Sequence, residues 1–242
     1  MRIAIFSDIH GNLVGLDACL ADLQAQGGAD AIIAAGDLCV DGPKPKKVLQ
    51  RLEDVGAQCI RGNTDRYLTA SRESGFPATE KAQLDWTCGD IGEKWLRWLA
   101  ELPFAIRLGE ETNELLIVHA NPVNDDEQLW PDADDGTLER LIGDERAAAI
   151  AFGHLHLPYT RIWRGKLLVN VASAGLPKDG DARACYAILT ERNGGWEVKH
   201  RRVEFDVKKV ATQLVDCGIP ESGELIATLR RHRYKRLRGF VP

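Results

Sequence analysis

The chain begins with short apolar runs separated by segments with helical periodicity. Three runs end abruptly in polar residues, at 2–7, 31–35 and 57–60. Leucines recur at helical spacing over 13–26, and a second amphipathic segment extends from Pro43 to about Val55. Short apolar runs with polar ends are typical of buried strands. The alternation of strand and helix therefore predicts an α/β fold.

The second half of the chain keeps the strand pattern after a helical interruption. Residues 66–102 are rich in tryptophan and leucine at helical spacing, and we interpret them as a cap-like helical insertion. Strand patterns then occur at 104–108, 115–118, 149–152, 160–163, 167–171, 185–190 and 196–204. A helical extension is expected from about 207 to 242. Because no repeat or linker interrupts the pattern, we predict one domain over 1–242.

Polar clusters follow five of the predicted strands. They contain Asp8 with His10, Asp37, Asn63, His119, and His154 with His156. The carboxyl ends of strands in an α/β sheet form the usual ligand site, so these side chains are expected to lie close together. A single histidine at a strand end is usually structural, but four of the chain's six histidines fall in these clusters. This coincidence favours a metal site.

The residue types indicate which metals the site would hold. Imidazole and carboxylate together suit Mn²⁺, Fe, Zn²⁺ or Ni²⁺ better than Mg²⁺ or Ca²⁺, which prefer oxygen ligands. Seven side chains exceed one tetrahedral site but suit two ions about 3.5–4 Å apart that share a carboxylate, as in phosphoryl-transfer enzymes. We therefore predict two divalent transition metal ions, with Mn²⁺ as the first choice.

Five motifs in this order resemble those of the calcineurin-like metallophosphoesterases, in particular their small bacterial and archaeal phosphodiesterase branch. The motifs are Asp8-Ile9-His10, Gly36-Asp37, Gly62-Asn63-Thr64-Asp65, Val118-His119-Ala120 and Gly153-His154-Leu155-His156. The segment from Asn170 to Asp181 is also similar to that branch. The resemblance implies a four-layer α/β/β/α sandwich of two mixed β-sheets.

The resemblance also implies how the metal ligands are divided. Asp8, His10, Asp37 and His156 would hold one ion, and Asp37, Asn63, His119 and His154 would hold the other, with Asp37 as the bridge. A hydroxide shared by the ions would attack phosphorus in line, and Asn63 would contact the phosphate. The expected function is that of a binuclear-metal-dependent phosphoesterase, with phosphodiesters as the preferred substrates.

The chain departs from the commonest family pattern after Asn63. Many members have a histidine there that is proposed to protonate the leaving group, whereas this chain has Thr64 and then Asp65. Either Thr64 only shapes the turn, or the proton comes from water or Asp65, or no proton is needed. Asn63 and Asp65 are thus the candidate catalytic residues. We expect a preference for activated esters, diesters or nucleotide anhydrides over alkyl monoesters. Ala120 and Ala172 also replace glycines that are common in the family.

Three other functions remain open. One is a non-catalytic protein-binding scaffold on the same fold, which the intact ligand set disfavours. Another is a nucleotide polyphosphate hydrolase. The third and weakest is a regulatory RNA-binding role that would use the basic run from Arg230 to Arg238. The sequence has neither a Walker-type phosphate loop nor a dinucleotide fingerprint nor a nucleophile elbow.

Composition limits the partners. The 242 residues carry a formal charge of -5 at pH 7, so no overall attraction to nucleic acid or to anionic membranes is expected. A small phosphate ester or nucleotide is the expected partner. The basic run from Arg230 to Arg238 is interpreted as a solvated surface. A homo-oligomer remains open. Scattered cysteines and the lack of a signal or membrane-spanning segment predict a cytoplasmic protein.

Two further features are interpreted as structural. Trp95 and Trp98 are expected to pack in a core rather than to stack a nucleobase. The acidic residues from Asp125 to Asp135 are expected to form a solvated loop, since they lack the pattern of a calcium-binding loop.

Overall fold

Two five-stranded sheets form the centre of the protein, for which the computed structural model describes residues 1–69 and 76–233. The first sheet contains β1 (Arg2–Phe6), β2 (Ala31–Ala35), β3 (Gln58–Ile60), β9 (Ala184–Arg192) and β10 (Gly195–Val203). Its strand order is β10-β9-β1-β2-β3. The strands β1, β2 and β3 are parallel, whereas β9 is antiparallel to both of its neighbours.

The second sheet repeats this arrangement. It contains β4 (Ala105–Leu108), β5 (Leu115–Val118), β6 (Ala149–Phe152), β7 (Tyr159–Trp163) and β8 (Lys166–Asn170). Its order is β4-β5-β6-β8-β7, with β5, β6 and β8 parallel and the two edge strands antiparallel. Both sheets are therefore mixed, as expected.

The sheets pack face to face through alternate residues of their strands. Ile3 and Ile5 of β1 contact the same buried cluster as Ile117 of β5 and Val169 of β8. Ala4 and Phe6, which alternate with them, point to the opposite face of the first sheet, where helices cover it. Because both faces of the central strands are buried, these strands appear in the sequence as unbroken apolar runs.

Seven α-helices are described. They are α1 (Leu13–Ala25), α2 (Pro45–Asp54), α3 (Asn63–Thr69), α4 (Ala78–Ala100), α5 (Asp135–Ile142), α6 (Val207–Asp216) and α7 (Ser222–Arg231). Helices α1, α2 and α4 pack on the outer face of the first sheet, and α5 packs on that of the second. The four-layer sandwich is thus confirmed.

The first helix shows how local sequence fixes a connection. The side chain of Asn12 accepts a hydrogen bond from Gly15 N at 3.0 Å and caps the amino end of α1. Its amide also donates to the carbonyl of Gly175 at 2.7 Å. One side chain therefore caps the helix and ties the loop after β1 to the loop after β8.

The structure differs from the sequence interpretation mainly between 125 and 142. Asp134 caps α5 by accepting a hydrogen bond from Thr137 N, so part of the predicted loop begins a helix. The expected helical insertion consists of α3 and α4, and residues 70–75 of it lie outside the described part. The extension after 207 contains α6 and α7, while its residues 234–242, with Lys235, Arg236 and Arg238 of the basic run, also lie outside it.

Several smaller expectations can be compared with the structure. Trp95 is 2% exposed and meets Trp98 edge to face in the core beside the first sheet. All six cysteines are free thiols. Among the described residues, no helix has the length and apolar character needed to cross a membrane.

Candidate metal centre

The structure brings the seven predicted ligands together where five strands end. The first sheet supplies Asp8 and His10 after β1, Asp37 after β2 and Asn63 after β3, and the second sheet supplies His119 after β5 and His154 and His156 after β6. The group thus bridges the two sheets. This convergence follows from the parallel order of the strands, whose carboxyl ends share one edge of each sheet.

The ligand atoms fall into two groups. In one, atoms of Asp8, His10 and His156 lie within 4.8 Å of one another, and in the other the same holds for Asp37, His119 and His154. The side-chain oxygen of Asn63 lies 3.1 Å from Nε2 of His119, which adds it to the second group.

Asp37 lies between the two groups. Its Oδ1 is 3.4 Å from Nε2 of His119, and its Oδ2 is 3.8 Å from Nε2 of His10. A carboxylate with one oxygen toward each group has the position that a bridging ligand requires.

Backbone strain is concentrated at the candidate ligands. Five of them have positive φ angles of 48° to 65°: Asp8, His10, Asp37, His154 and His156. A left-handed conformation costs a residue with a Cβ about 1–2 kcal/mol. Backbone hydrogen bonds such as His10 N to Asp37 O at 3.0 Å hold these turns in place. Strain retained at five neighbouring polar residues points to a functional site.

Two glycines of the motifs leave room for the carboxylates. A Cβ on Gly62 would lie 2.2 Å from Oδ1 of Asp37, and one on Gly153 would lie 2.4 Å from Oδ2 of Asp8. Both distances are far below van der Waals contact. Glycine is therefore required next to the ligands for steric reasons.

Backbone carbonyls fix the orientation of all four histidines. One ring nitrogen of each donates to a carbonyl: His10 Nδ1 to Val40 at 3.1 Å, His119 Nδ1 to Ala35 at 2.9 Å, His156 Nδ1 to Leu176 at 2.5 Å and His154 Nε2 to Asp126 at 2.8 Å. In the neutral ring, the remaining nitrogen then carries the lone pair and faces the centre. Metal-binding histidines are held in this way.

One buried oxygen supports the fit of a cation. Oδ1 of Asp8 is buried without a hydrogen-bond donor, although Nε2 of His156 lies 3.0 Å away. Because Nδ1 of His156 donates to the carbonyl of Leu176, Nε2 of the neutral ring is an acceptor. Two acceptors that face each other at this distance suit a shared cation.

The charges of the centre shift the pKa values of its groups. Burial lowers the pKa of His119, but the nearby Asp37 carboxylate outweighs burial and raises the pKa to about 10. Burial raises the pKa of Asp37, yet its contacts with His119 hold that pKa well below the usual range. In the metal-free protein these two groups form an ion pair, and a metal ion would replace the proton of His119.

Thr64 and Asp65 lie directly beside the candidate ligands. The backbone N–H and the hydroxyl of Thr64 both donate to Oδ1 of Asp37, at 3.0 and 2.8 Å. The buried carboxylate of Asp65 accepts from Leu38 N at 3.0 Å and from Gly62 N at 2.9 Å. Burial, followed by repulsion from Asp37, raises the pKa of Asp65 to about 7.

Sequence reasoning missed the role of the loop over 121–127. Asp125 is 5% exposed and accepts hydrogen bonds from Arg66, so it is not solvated. Asp126 contacts His154 through its carbonyl and accepts a hydrogen bond from Tyr67 at 2.7 Å. The one sequence feature that could have indicated this role is the position of its partners, Arg66 and Tyr67, one helical turn beyond Asn63.

Lys178 was also missed. Its Nζ lies 3.5 Å from Nε2 of His156, and burial lowers the pKa of its ammonium group. The residue lies within the family-like segment that follows β8, close to the carboxylate of Asp8 in the first group. Nothing in its sequence spacing distinguished it from a surface lysine.

A cavity of about 370 Å³ adjoins the centre. Thr64 and Tyr67 of α3 and Asp41 of the loop after β2 form its wall beside the candidate ligands. The opposite wall contains residues of α4 and of the amino end of α7, including Glu80 and Glu224. The cavity thus lies between α3, α4 and α7, beside residues that contact the candidate ligands.

Comparison with known proteins identifies relatives along most of the chain. An uncharacterised protein of Methanocaldococcus jannaschii is 30% identical over 238 residues, which cover 90% of this chain and 94% of that protein. The crystal structure of a metallophosphoesterase from Sphaerobacter thermophilus has a TM-score of 0.78 and 25% identity, covering 96% of this chain and 99% of that one.

A third relative matches a smaller part. The symmetrical bis(5'-nucleosyl)-tetraphosphatase of Pectobacterium atrosepticum is 28% identical over 123 residues, which cover 50% of this chain and 43% of that protein. Residues 1–194 match the Calcineurin-like phosphoesterase superfamily domain, a range that includes all seven candidate ligands. The chain belongs to the calcineurin-like phosphoesterase superfamily.

Proposed function

We propose that the protein is a phosphodiesterase that depends on two divalent metal ions and acts on small phosphate esters. The observation that carries the proposal is the pair of ligand groups with Asp37 between them, in which every histidine is oriented by a backbone carbonyl. A scaffold without catalytic activity has no need of such an arrangement.

The residues divide between the ions as the geometry groups them. Asp8, His10, Asp37 and His156 would hold one ion, and Asp37, Asn63, His119 and His154 the other. Bound there, two ions, Mn²⁺ as the first choice, supply the Lewis acidity that activates water and neutralises phosphoryl charge. The mixture of nitrogen and oxygen donors favours a transition ion over Mg²⁺.

Asn63 is suited both to bind a metal ion and to contact the phosphate of the substrate. Its side-chain oxygen faces His119, and its amide donates to the hydroxyl of Tyr67 at 3.2 Å. This bond fixes which end of the amide faces the centre. The hydroxyl of Tyr67 in turn donates to Asp126, so α3 and the 121–127 loop are linked across the site.

The contacts of Thr64 support a preference for diesters and activated esters. Its hydroxyl donates to Asp37, and an alcohol is too weak an acid to protonate a leaving group at ordinary pH. The carboxylate of Asp65 is held by two backbone N–H groups in a fully buried position. We therefore assign Asp65 a positioning role in place of the leaving-group acid that the sequence suggested.

A nucleotide polyphosphate hydrolase is the second candidate. The similarity to a bis(5'-nucleosyl)-tetraphosphatase favours it, but that match covers half of this chain. The acidic side chains that line the cavity beside the centre would repel a polyphosphate chain. We therefore prefer a phosphodiesterase as the proposed function.

The test is a Mn²⁺-supplemented assay with bis-p-nitrophenyl phosphate, p-nitrophenyl phosphate, a cyclic nucleotide and a dinucleoside tetraphosphate. The proposal predicts turnover that chelation abolishes and that is highest with the diester. Asp37→Asn should lose activity while keeping its circular dichroism spectrum, and the exposed Asp54→Asn is the matched control. Absence of metal-dependent turnover, or equal turnover by Asp37→Asn, would overturn the proposal.

A further inference from the structure

The side chain of Lys178 ends beside the first ligand group. Its Nζ is 3.5 Å from Nε2 of His156. That nitrogen faces the other candidate ligands, since it is also 3.0 Å from Oδ1 of Asp8 and 3.3 Å from Nε2 of His10. An ammonium group has three donors and no lone pair, so it is not itself a metal ligand. A half-buried cation is thus placed where the ligand atoms of this group converge.

The backbone around Lys178 is held to the same ligand. The N–H of Lys178 donates to the carbonyl of His156 at 3.3 Å, and the carbonyl of Leu176 accepts from Nδ1 of His156 at 2.5 Å. The next residue, Asp179, has a buried side chain that forms an ion pair with Arg202 of β10. These contacts fix the chain before and after Lys178 relative to the centre and limit the positions that its ammonium group can reach.

Metal binding would change the partners of this ammonium group. Nε2 of His156 is the acceptor nitrogen of the neutral ring, and as a metal ligand it would no longer accept a hydrogen bond from Lys178. Burial lowers the pKa of the ammonium group, and the carboxylates of Asp8, Asp41 and Asp37 oppose the effect. Two of these carboxylates, Asp8 and Asp37, are candidate ligands whose charge bound ions would neutralise. Both changes favour an anion as the new partner.

The arginines near the centre are arranged differently. Arg61 and Arg66 lie on the side of the second group, and both form ion pairs with Asp125. Arg66 also forms an ion pair with Asp126. None of these carboxylates belongs to a ligand group, so metal binding would leave the pairs intact. Lys178 is therefore better suited than either arginine to meet the charge of a substrate.

We propose that Lys178 binds the phosphate of the substrate by donating to a non-bridging oxygen beside the first ligand group. The inference rests on the proposed function and adds a substrate-binding residue to the same site. A fixed cation next to a transferred phosphoryl group stabilises the charge on its oxygens in the transition state. Because lysine acts on phosphate as a point charge, arginine should replace it better than any neutral residue.

Phosphate binding to the Mn²⁺-loaded protein tests the inference without turnover. Excess Mn²⁺ is removed by gel filtration, and broadening of the phosphorus NMR signal of inorganic phosphate by the bound paramagnetic ions is titrated. Lys178→Met and Lys178→Gln, which both remove the charge, should bind phosphate about ten- to a hundredfold more weakly than the wild type, as expected for a hydrogen bond with charged partners. Lys178→Arg should retain most of the affinity, and Lys208→Met, at an exposed position of α6, should retain all of it.

Calorimetric titration of the metal-free variants with Mn²⁺ separates phosphate binding from support of His156. Lys178→Met and Lys178→Gln should bind Mn²⁺ at least as tightly as the wild type, because a positive charge next to the ions is removed. Weaker Mn²⁺ binding would overturn the inference, since Lys178 would then act through His156. Unchanged phosphate affinity of the Mn²⁺-loaded neutral variants would also overturn it. Phosphate binding that depends on Lys178 without turnover of bis-p-nitrophenyl phosphate would count against the proposed function alone.

Discussion

At the residue scale, neighbouring groups hold the candidate ligands in place. Each histidine donates to a carbonyl, and Oδ1 of Asp37 receives two hydrogen bonds from Thr64. Such partners orient ligands before a metal ion binds and reduce the entropy lost on binding. Thr64, at the position that carries a histidine in many similar sequences, is therefore suited to orient Asp37, the candidate bridging carboxylate.

Removing the hydroxyl of Thr64 should weaken metal binding. Thr64→Val keeps the shape and the backbone N–H but loses the bond of 2.8 Å to Asp37. We expect a loss of about tenfold in Mn²⁺ affinity by calorimetry, since partners of this kind typically contribute 10–100-fold. Thr64→Ser should retain wild-type affinity. If Thr64→Val binds Mn²⁺ as tightly as Thr64→Ser does, the positioning role is wrong.

Asp65→Asn should destabilise the metal-free protein. Asparagine can accept one of the two backbone N–H bonds from Leu38 and Gly62, and its own amide would face the other donor. A buried unsatisfied donor of this kind costs about 2 kcal/mol in the free energy of unfolding, as measured by urea denaturation. The exposed Asp54→Asn should change the free energy of unfolding by less than about 0.5 kcal/mol.

A different pattern would revive the catalytic reading of Asp65. If Asp65→Asn unfolded like the wild type and bound Mn²⁺ normally but lost turnover, the carboxyl group would act as an acid toward the leaving group. The sequence alone could not separate these roles, because both place an acidic residue after Asn63-Thr64. The two backbone hydrogen bonds to the Asp65 carboxylate favour the positioning role.

At the element scale, the periodicity of apolar residues predicted all ten described strands within one or two residues. The central strands were the easiest to predict, since both of their faces are buried and their apolar runs are unbroken. Helix α5 was missed because its acidic start resembles a loop, and only the structure shows Asp134 as its cap. The start of the acidic loop was misread for a similar reason: Arg66, the partner of the buried Asp125, is distant in the sequence.

An ion pair fixes the edge of the second sheet. Arg107 on β4 donates to Glu145 at 2.8 and 3.1 Å, and the backbone N–H groups of Arg146 and Ala147 donate to the same carboxylate. The bonds from Arg107, opposed in part by burial, lower the pKa of Glu145 to about 2. The ionised carboxylate thus connects β4 to the chain that enters β6.

This pair predicts a pH-dependent stability difference. Because the pKa of Glu145 is lowered in the folded state, its ionised carboxylate adds to the free energy of unfolding. This contribution is fully present above the unfolded pKa of about 4.3 and is lost as the pH falls toward 2. Denaturant unfolding of the metal-free protein should show Glu145→Gln to be less stable than the wild type at pH 6 and nearly equal to it near pH 2. For the exposed Glu93→Gln, the difference in stability from the wild type should be the same at both pH values. A constant difference for Glu145→Gln would contradict the assignment.

At the scale of the whole molecule, the candidate metal centre depends on the packing of two sheets. The first group takes Asp8 and His10 from one sheet and His156 from the other, and the second group is divided in the same way. The family resemblance of the sequence motifs implied this division. The left-handed backbone at five ligands and the cavity between α3, α4 and α7 could not be predicted, because they depend on contacts between distant segments.

The most direct test is anomalous X-ray diffraction from crystals grown with Mn²⁺. The account predicts two anomalous peaks about 3.5–4 Å apart. One should be in contact with Asp8, His10 and His156 and the other with Asn63, His119 and His154, with Asp37 touching both. A single peak, or the absence of any peak among these residues at saturating Mn²⁺, would contradict the two-metal centre.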